Sequence, residues 1–198
     1  VLSCRCGLGG ERCVIMVLAV SLLRGINVGG HNKIRMADLR ALYASLGFGE
    51  ARTLLQSGNV VFKTSEGDLP LVGRQIEAGI RRDFGHDIRV IMRSSADFET
   101  IFSRHRFSAE QLLETKKLVI VFLSGEAAPA AVDDLRSKNP GREVIHADGS
   151  ELFVFYRDGQ ARSKLDNSRI ERALGLQSTA RNWNSCNKHL KLFAAFDA

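Results

Sequence analysis

Residues 17–33 read Val17-Leu18-Ala19-Val20-Ser21-Leu22-Leu23-Arg24-Gly25-Ile26-Asn27-Val28-Gly29-Gly30-His31-Asn32-Lys33. From Val17 to Leu23 nearly every position is apolar, the mark of a central strand covered on both faces. The run ends in Arg24 and passes through three glycines, with Asn27, His31, Asn32 and Lys33 following before a helical pattern begins. A strand running into such a loop is expected to hold an anion. Glycines let backbone N–H groups turn toward a ligand, Arg24 and Lys33 supply charge, and the next helix supplies its positive end.

Working outward, Met36, Leu39, Leu42, Tyr43 and Leu46 recur at helical spacing and predict a helix over 36–46. Strand patterns at Arg52–Gln56 and Val60–Lys63 flank Ser57-Gly58-Asn59, which predicts a hairpin. Leu69, Val72, Ile76, Ile80 and Phe84 predict a second helix stopped by Gly85, and Ile88–Met92 a fourth strand. The resulting order, strand, helix, strand, strand, helix, strand, is the split βαβ or ferredoxin-like arrangement. It recurs farther on: a strand over Leu118–Leu123, a helix after Pro129, a hairpin of Glu143–His146 with Leu152–Tyr156, a helix over Leu165–Leu174 stopped by Gly175, and a strand over Ser178–Trp183. The expected class is therefore α+β, two tandem ferredoxin-like subdomains with a C-terminal helix. Expected boundaries are 16–96 for the first subdomain, 97–117 for a connector and 118–198 for the second with its helix.

Four motifs carry a family resemblance: Leu22–Gly30 (LLRGINVGG), Gln56–Asn59 (QSGN), Ser163-Lys164-Leu165 with Asn167 (SKLxN), and Arg181–Asn184 (RNWN). With them the chain resembles the bacterial domain of unknown function 1697 family over about residues 16–193, departing from it at Ser185, Cys186 and Asn187. The resemblance implies a small cytoplasmic bacterial protein and carries no reaction. Family members begin shortly before the first strand. Residues 1–15, rich in Gly and Cys, are accordingly expected to be an upstream extension, with Met16 as the natural start.

The chain carries 28 Lys and Arg against 22 Asp and Glu, a net +6 that favours phosphates, acidic surfaces or nucleic acid. Eight basic and three acidic residues fall between Arg157 and Lys191, concentrating the charge there. Cys4, Cys6, Cys13 and Cys186 have neither disulfide-framework nor zinc-knuckle spacing and suggest free thiols in a reducing cytoplasm. The five His residues are scattered, and no metal, cofactor, catalytic group or membrane span is indicated.

Two candidate sites follow. The first joins Arg24, Asn27, Gly29, Gly30 and Lys33 to Gln56, Ser57 and Asn59, because the end of the first strand lies beside the start of the third in a split βαβ sheet. Its plainer reading is a turn whose Asn and Ser side chains bond backbone. The second joins Arg162, Ser163, Lys164 and Asn167 to Arg181, Asn182, Trp183 and Asn184, offering cations beside a stacking surface; its plainer reading makes Trp183 a core anchor. Val60-Val61-Phe62 and Leu152–Tyr156 only faintly echo RNA-binding strands, which present exposed aromatics. The expected role is binding of a phosphate-bearing partner, nucleic acid or a phosphorylated small molecule. An enzyme acting on an anionic substrate and a structural or oligomeric partner protein are the alternatives.

Overall fold

The computed structural model describes residues 3–4, 15–56, 58–139 and 141–196. The chain divides into two compact units, Val1–Thr100 with His189–Ala198, and Ile101–Lys188.

In the first unit, β1 (Ser3–Cys4) precedes β2 (Ile15–Leu23), α1 (Met36–Ser45), β3 (Arg52–Leu54), β4 (Asn59–Thr64), α2 (Leu69–Phe84), β5 (Val90–Ser94) and the start of α3 (Ser95–Ser103). The four main strands form an antiparallel sheet in the order β3–β4–β2–β5, with β1 alongside the beginning of β2. Leu18, Ala19, Val20, Leu22 and Leu23 are all buried, as a nearly continuous apolar run requires. Ala19, Leu23, Val60 and Phe62 meet Leu39, Leu42 and Tyr43 of α1 and Val72, Ile76 and Ile80 of α2 in one core. Ser21, the polar break in β2, sends its hydroxyl 2.6 Å to the buried Tyr43 hydroxyl. Phe98 packs edge-on against Phe193 at 5.6 Å, and the Arg52 guanidinium stands 4.0 Å over Phe196. These contacts explain why the last ten residues belong to the first unit and not wholly to the second.

The second unit contains α4 (Ala109–Leu112), β6 (Leu118–Leu123), α5 (Pro129–Ser137), β7 (Val144–Asp148), β8 (Glu151–Phe155), α6 (Asn167–Leu174), β9 (Ser178–Asn182) and the first half of α7 (Trp183–Ala194). Its strands form a second four-stranded antiparallel sheet, in the order β7–β8–β6–β9. Val119, Val121, Leu152 and Val154 pack with Val132 and Leu135 of α5 and Ile170 of α6. The chain is thus α+β, with two four-stranded antiparallel sheets and seven α-helices among the described residues.

Several expected boundaries move for identifiable reasons. The strand read to Gln56 stops at Leu54 because Leu55 takes a φ of 59°. The fourth strand is Val90–Ser94, two residues later than read, and the hairpin strand placed at Glu143 begins at Val144. The helix read from Leu165 starts at Asn167, since Asp166 caps it by accepting from Arg169 N at 2.7 Å. The strand read to Trp183 ends at Asn182, whose Oδ1 accepts from Ser185 N at 2.8 Å as α7 begins. The stretch read as a connector holds the last part of α3, α4 and a 3-10 turn at Thr115–Lys117.

Candidate functional site: a cleft at the glycine loop

The third strand does start beside the end of the first. Leu22 of β2 pairs with Asn59 of β4, and Leu23 N donates to Gly58 O at 2.8 Å. A side chain at Gly58 has no room: a Cβ would lie 2.7 Å from Leu23 Cβ and Ile26 Cγ1, and the residue's φ is +71°.

Beyond Leu23 the chain makes a small projecting hairpin. His31 N donates to Val28 O at 3.1 Å and Asn27 N to Asn32 O at 3.2 Å. Gly29 and Gly30, at φ 59° and 82°, form the two-residue tip, the backbone that a type I′ turn demands. Asn27 fastens this hairpin to the rest of the loop region. Its Oδ1 accepts from Ile34 N at 3.0 Å, while Nδ2 donates to Ile34 O at 3.0 Å and Gln56 O at 2.9 Å. Asn59, fully buried, donates to Leu54 O at 3.1 Å. The plainer reading thus describes these two Asn side chains: they hold backbone.

A cleft of about 330 Å³ remains, lined by Asn27, Gly30, Lys33, Ile34, Arg35 and Gln56. Four of the sequence candidates, Asn27, Gly30, Lys33 and Gln56, are in that lining. Arg24, Gly29 and Asn59 are not, and Ser57 lies outside the described residues. Arg35 and Ile34 are additions that sequence reading missed. Arg35 is the N-cap of α1 yet gives the helix no side-chain hydrogen bond. It reaches instead to Asp38, 2.7 Å from Nε, a pairing that holds the Asp38 carboxyl below its usual range. The first-turn N–H groups of α1 therefore lack a capping side chain, and the cleft lies at that end of the helix. The absence of Ser, Thr, Asp or Asn immediately before Met36 was the sequence signal for this.

The second candidate cluster divides. Arg162, Ser163 and Lys164 line a cleft of about 270 Å³ with Arg142, Glu143 and Asp158. Asn167 opens α6, and Asn182 and Asn184 are exposed near the start of α7. Arg181 is only 8% exposed, with Nη1 donating to Thr179 Oγ1 at 2.7 Å and Ala180 O at 2.8 Å. Burial lowers its pKa to about 10 and raises that of the buried Cys186 thiol to about 12. Trp183 is 7% exposed, stacked on Phe102 at 3.9 Å and set edge-on to His105 and Phe107. Arg181 and Trp183 consequently form no exterior cation-and-stacking surface, and Trp183 is the core anchor. Phe62, Phe153, Phe155 and Tyr156 are buried too, so these strands lack the exposed aromatics of an RNA-binding sheet.

Among the described residues, no group of three or more His, Cys, Asp or Glu gathers to hold a metal, and no helix is long and apolar enough to cross a membrane. None of the curated proteins matches the chain. Its fold is similar to that of the conserved bacterial protein SP0830 from Streptococcus pneumoniae, with a TM-score of 0.66 at 22% identity, over 87% of this chain and 96% of that one. The model of a family described as "Protein of unknown function (DUF1697)" matches residues 16–153. The chain belongs to that family.

Proposed function

We propose that this protein is a binding module for a phosphate-bearing small molecule, held in the glycine-loop cleft of the first unit. The observation that carries the reading is the cleft's position at the uncapped N-terminus of α1, with the exposed Lys33 on its wall. Helix N–H groups and an ammonium together make an anion site, and the Gln56 carboxamide adds a hydrogen-bonding group at the rim. Asn27 contributes indirectly, by fixing the wall. Among the described residues the lining holds no carboxylate, His or Cys.

A small ligand is favoured over a nucleic-acid strand because Arg181 and Trp183, the groups that would have extended a basic groove, are buried. The strand orders β3–β4–β2–β5 and β7–β8–β6–β9 support assigning each unit to the split βαβ, ferredoxin-like class. A buried free thiol at Cys186 is in keeping with action in the cytoplasm.

Calorimetric titration with ADP and with inorganic phosphate tests the reading. Binding should weaken about tenfold in Lys33→Ala, the loss of one charge-assisted contact, and stay unchanged in Trp183→Phe. Equal affinity in wild type and Lys33→Ala, or no binding to either compound, would overturn it.

A further inference from the structure

The cleft of the second unit has a different chemistry. Arg142, Arg162 and Lys164 come to it from three places: the approach to β7, a 3-10 turn at Gln160–Arg162, and the segment leading to α6. Several basic side chains of this unit are paired: Arg104 and Arg106 with Asp148, Arg136 with Asp133, Lys138 with Asp134. The three around the cleft are exposed and make no ion pair among the described residues. Three cations facing one concavity favour an anion that can meet more than one of them.

Carboxylates share the same cleft, and they narrow the class of anion. Glu143 accepts from the Ser163 hydroxyl in a short hydrogen bond and from Asn139 Nδ2 at 2.8 Å. Ser163 is itself fixed by Leu165 N, 2.9 Å from its Oγ. Burial pushes the Glu143 carboxyl upward, but the bonds from Ser163, Asn139 and backbone outweigh it, so the group stays ionised and is an acceptor at neutral pH. Beside it, Asn139 Oδ1 is buried without a hydrogen-bond partner among the described residues. Gly141 keeps the approach open, since a Cβ there would collide with the Glu143 carboxylate that Ser163 and Asn139 hold in place. Asp158 adds a second carboxylate to the lining.

A site for bare phosphate would gain nothing from two carboxylates. Cations set beside ionised acceptors complement a molecule that carries an anion and hydroxyl donors a few bonds apart. We infer that this cleft binds a phosphorylated sugar or polyol, with the phosphate at Arg142, Arg162 and Lys164 and a neighbouring hydroxyl donating to Glu143. Its volume of about 270 Å³ falls just under the ~300–1,000 Å³ of drug-sized pockets, which suits a single sugar-phosphate unit. The inference does not rest on the glycine-loop reading.

The test is amide-detected NMR titration of the full chain with ribose 5-phosphate, inorganic phosphate and a short single-stranded oligoribonucleotide. Ribose 5-phosphate should shift the amides of residues 141–143 and 162–164, and its affinity should fall about tenfold in Arg162→Ala while Lys33→Ala leaves it intact. Glu143→Gln, which keeps the shape, should bring ribose 5-phosphate down to the affinity of inorganic phosphate. Three results would overturn the inference: no shift at these residues, inorganic phosphate binding as tightly as ribose 5-phosphate to the wild type, or the oligoribonucleotide binding there when ribose 5-phosphate does not.

Discussion

At the level of single residues, identical backbone geometry carries different costs according to surroundings. Gly25 and Gly58 have φ of 67° and 71°, but a Cβ at Gly25 meets nothing within 4 Å while one at Gly58 strikes Leu23 and Ile26. Gly25→Ala should cost only the left-handed penalty, about 1–2 kcal/mol. Gly58→Ala adds overpacking of about 1–3 kcal/mol to that penalty, and urea unfolding of the two variants should separate them in this order. Ser163 offers a pH-dependent test. The folded Glu143 carboxyl lies below its ordinary value, so its stabilising contribution is fully present above the unfolded pKa, near 4.3, and is lost as pH falls through the folded one. Ser163→Ala removes the largest of the bonds that lower it and so reduces the depression. The loss of thermal stability on acidification should then be smaller than in the wild type.

At the level of elements, α1, α2 and α6 differ at their starts. Asp68 and Asp166 cap α2 and α6 through Leu71 N and Arg169 N, whereas Arg35 gives α1 no such bond. If the α1 amides serve a ligand, a cap should trade binding for stability. Arg35→Ser is expected to stabilise the protein by about 1 kcal/mol in chemical denaturation, and at the same time to weaken ADP binding in calorimetry. The existence of these elements was legible because apolar period and stop residues agree, as in Leu69–Phe84 ending at Gly85 in the left-handed conformation. Their ends were less so. Leu55 adopts a positive φ that a branched side chain rarely takes, and no local pattern announces it. The glycines of the first loop were visible, but their tertiary use was not: Gly29 and Gly30 turn a hairpin tip while Asn27 supplies its fastening.

At the level of the whole molecule, sequence proximity misled where burial decides. Arg181 and Trp183 sit in a strongly basic segment, yet β9 lies beside β6 and the aromatic rings of Phe102 and Phe107 enclose the indole. Ile120 of β6 pairs with Arg181, so β9 is polar in composition and forms one edge of its sheet, yet its Arg181 is buried. The lone Trp should accordingly show blue-shifted emission that acrylamide quenches poorly, and single-stranded RNA should leave it unchanged. Emission at the wavelength of exposed indole, or RNA-dependent quenching, would contradict the burial. The same rule, that a cation counts only where geometry exposes it, puts Lys33 at one cleft and Arg142, Arg162 and Lys164 at another within reach of a ligand. The most direct measurement for the glycine-loop site is backbone amide mapping of the protein titrated with ADP. Saturable shifts of the Met36, Ala37 and Asp38 amides, needing about tenfold more ADP in Lys33→Ala and absent at Trp183, are the predicted result; an unchanged spectrum at residues 36–38 would contradict the site.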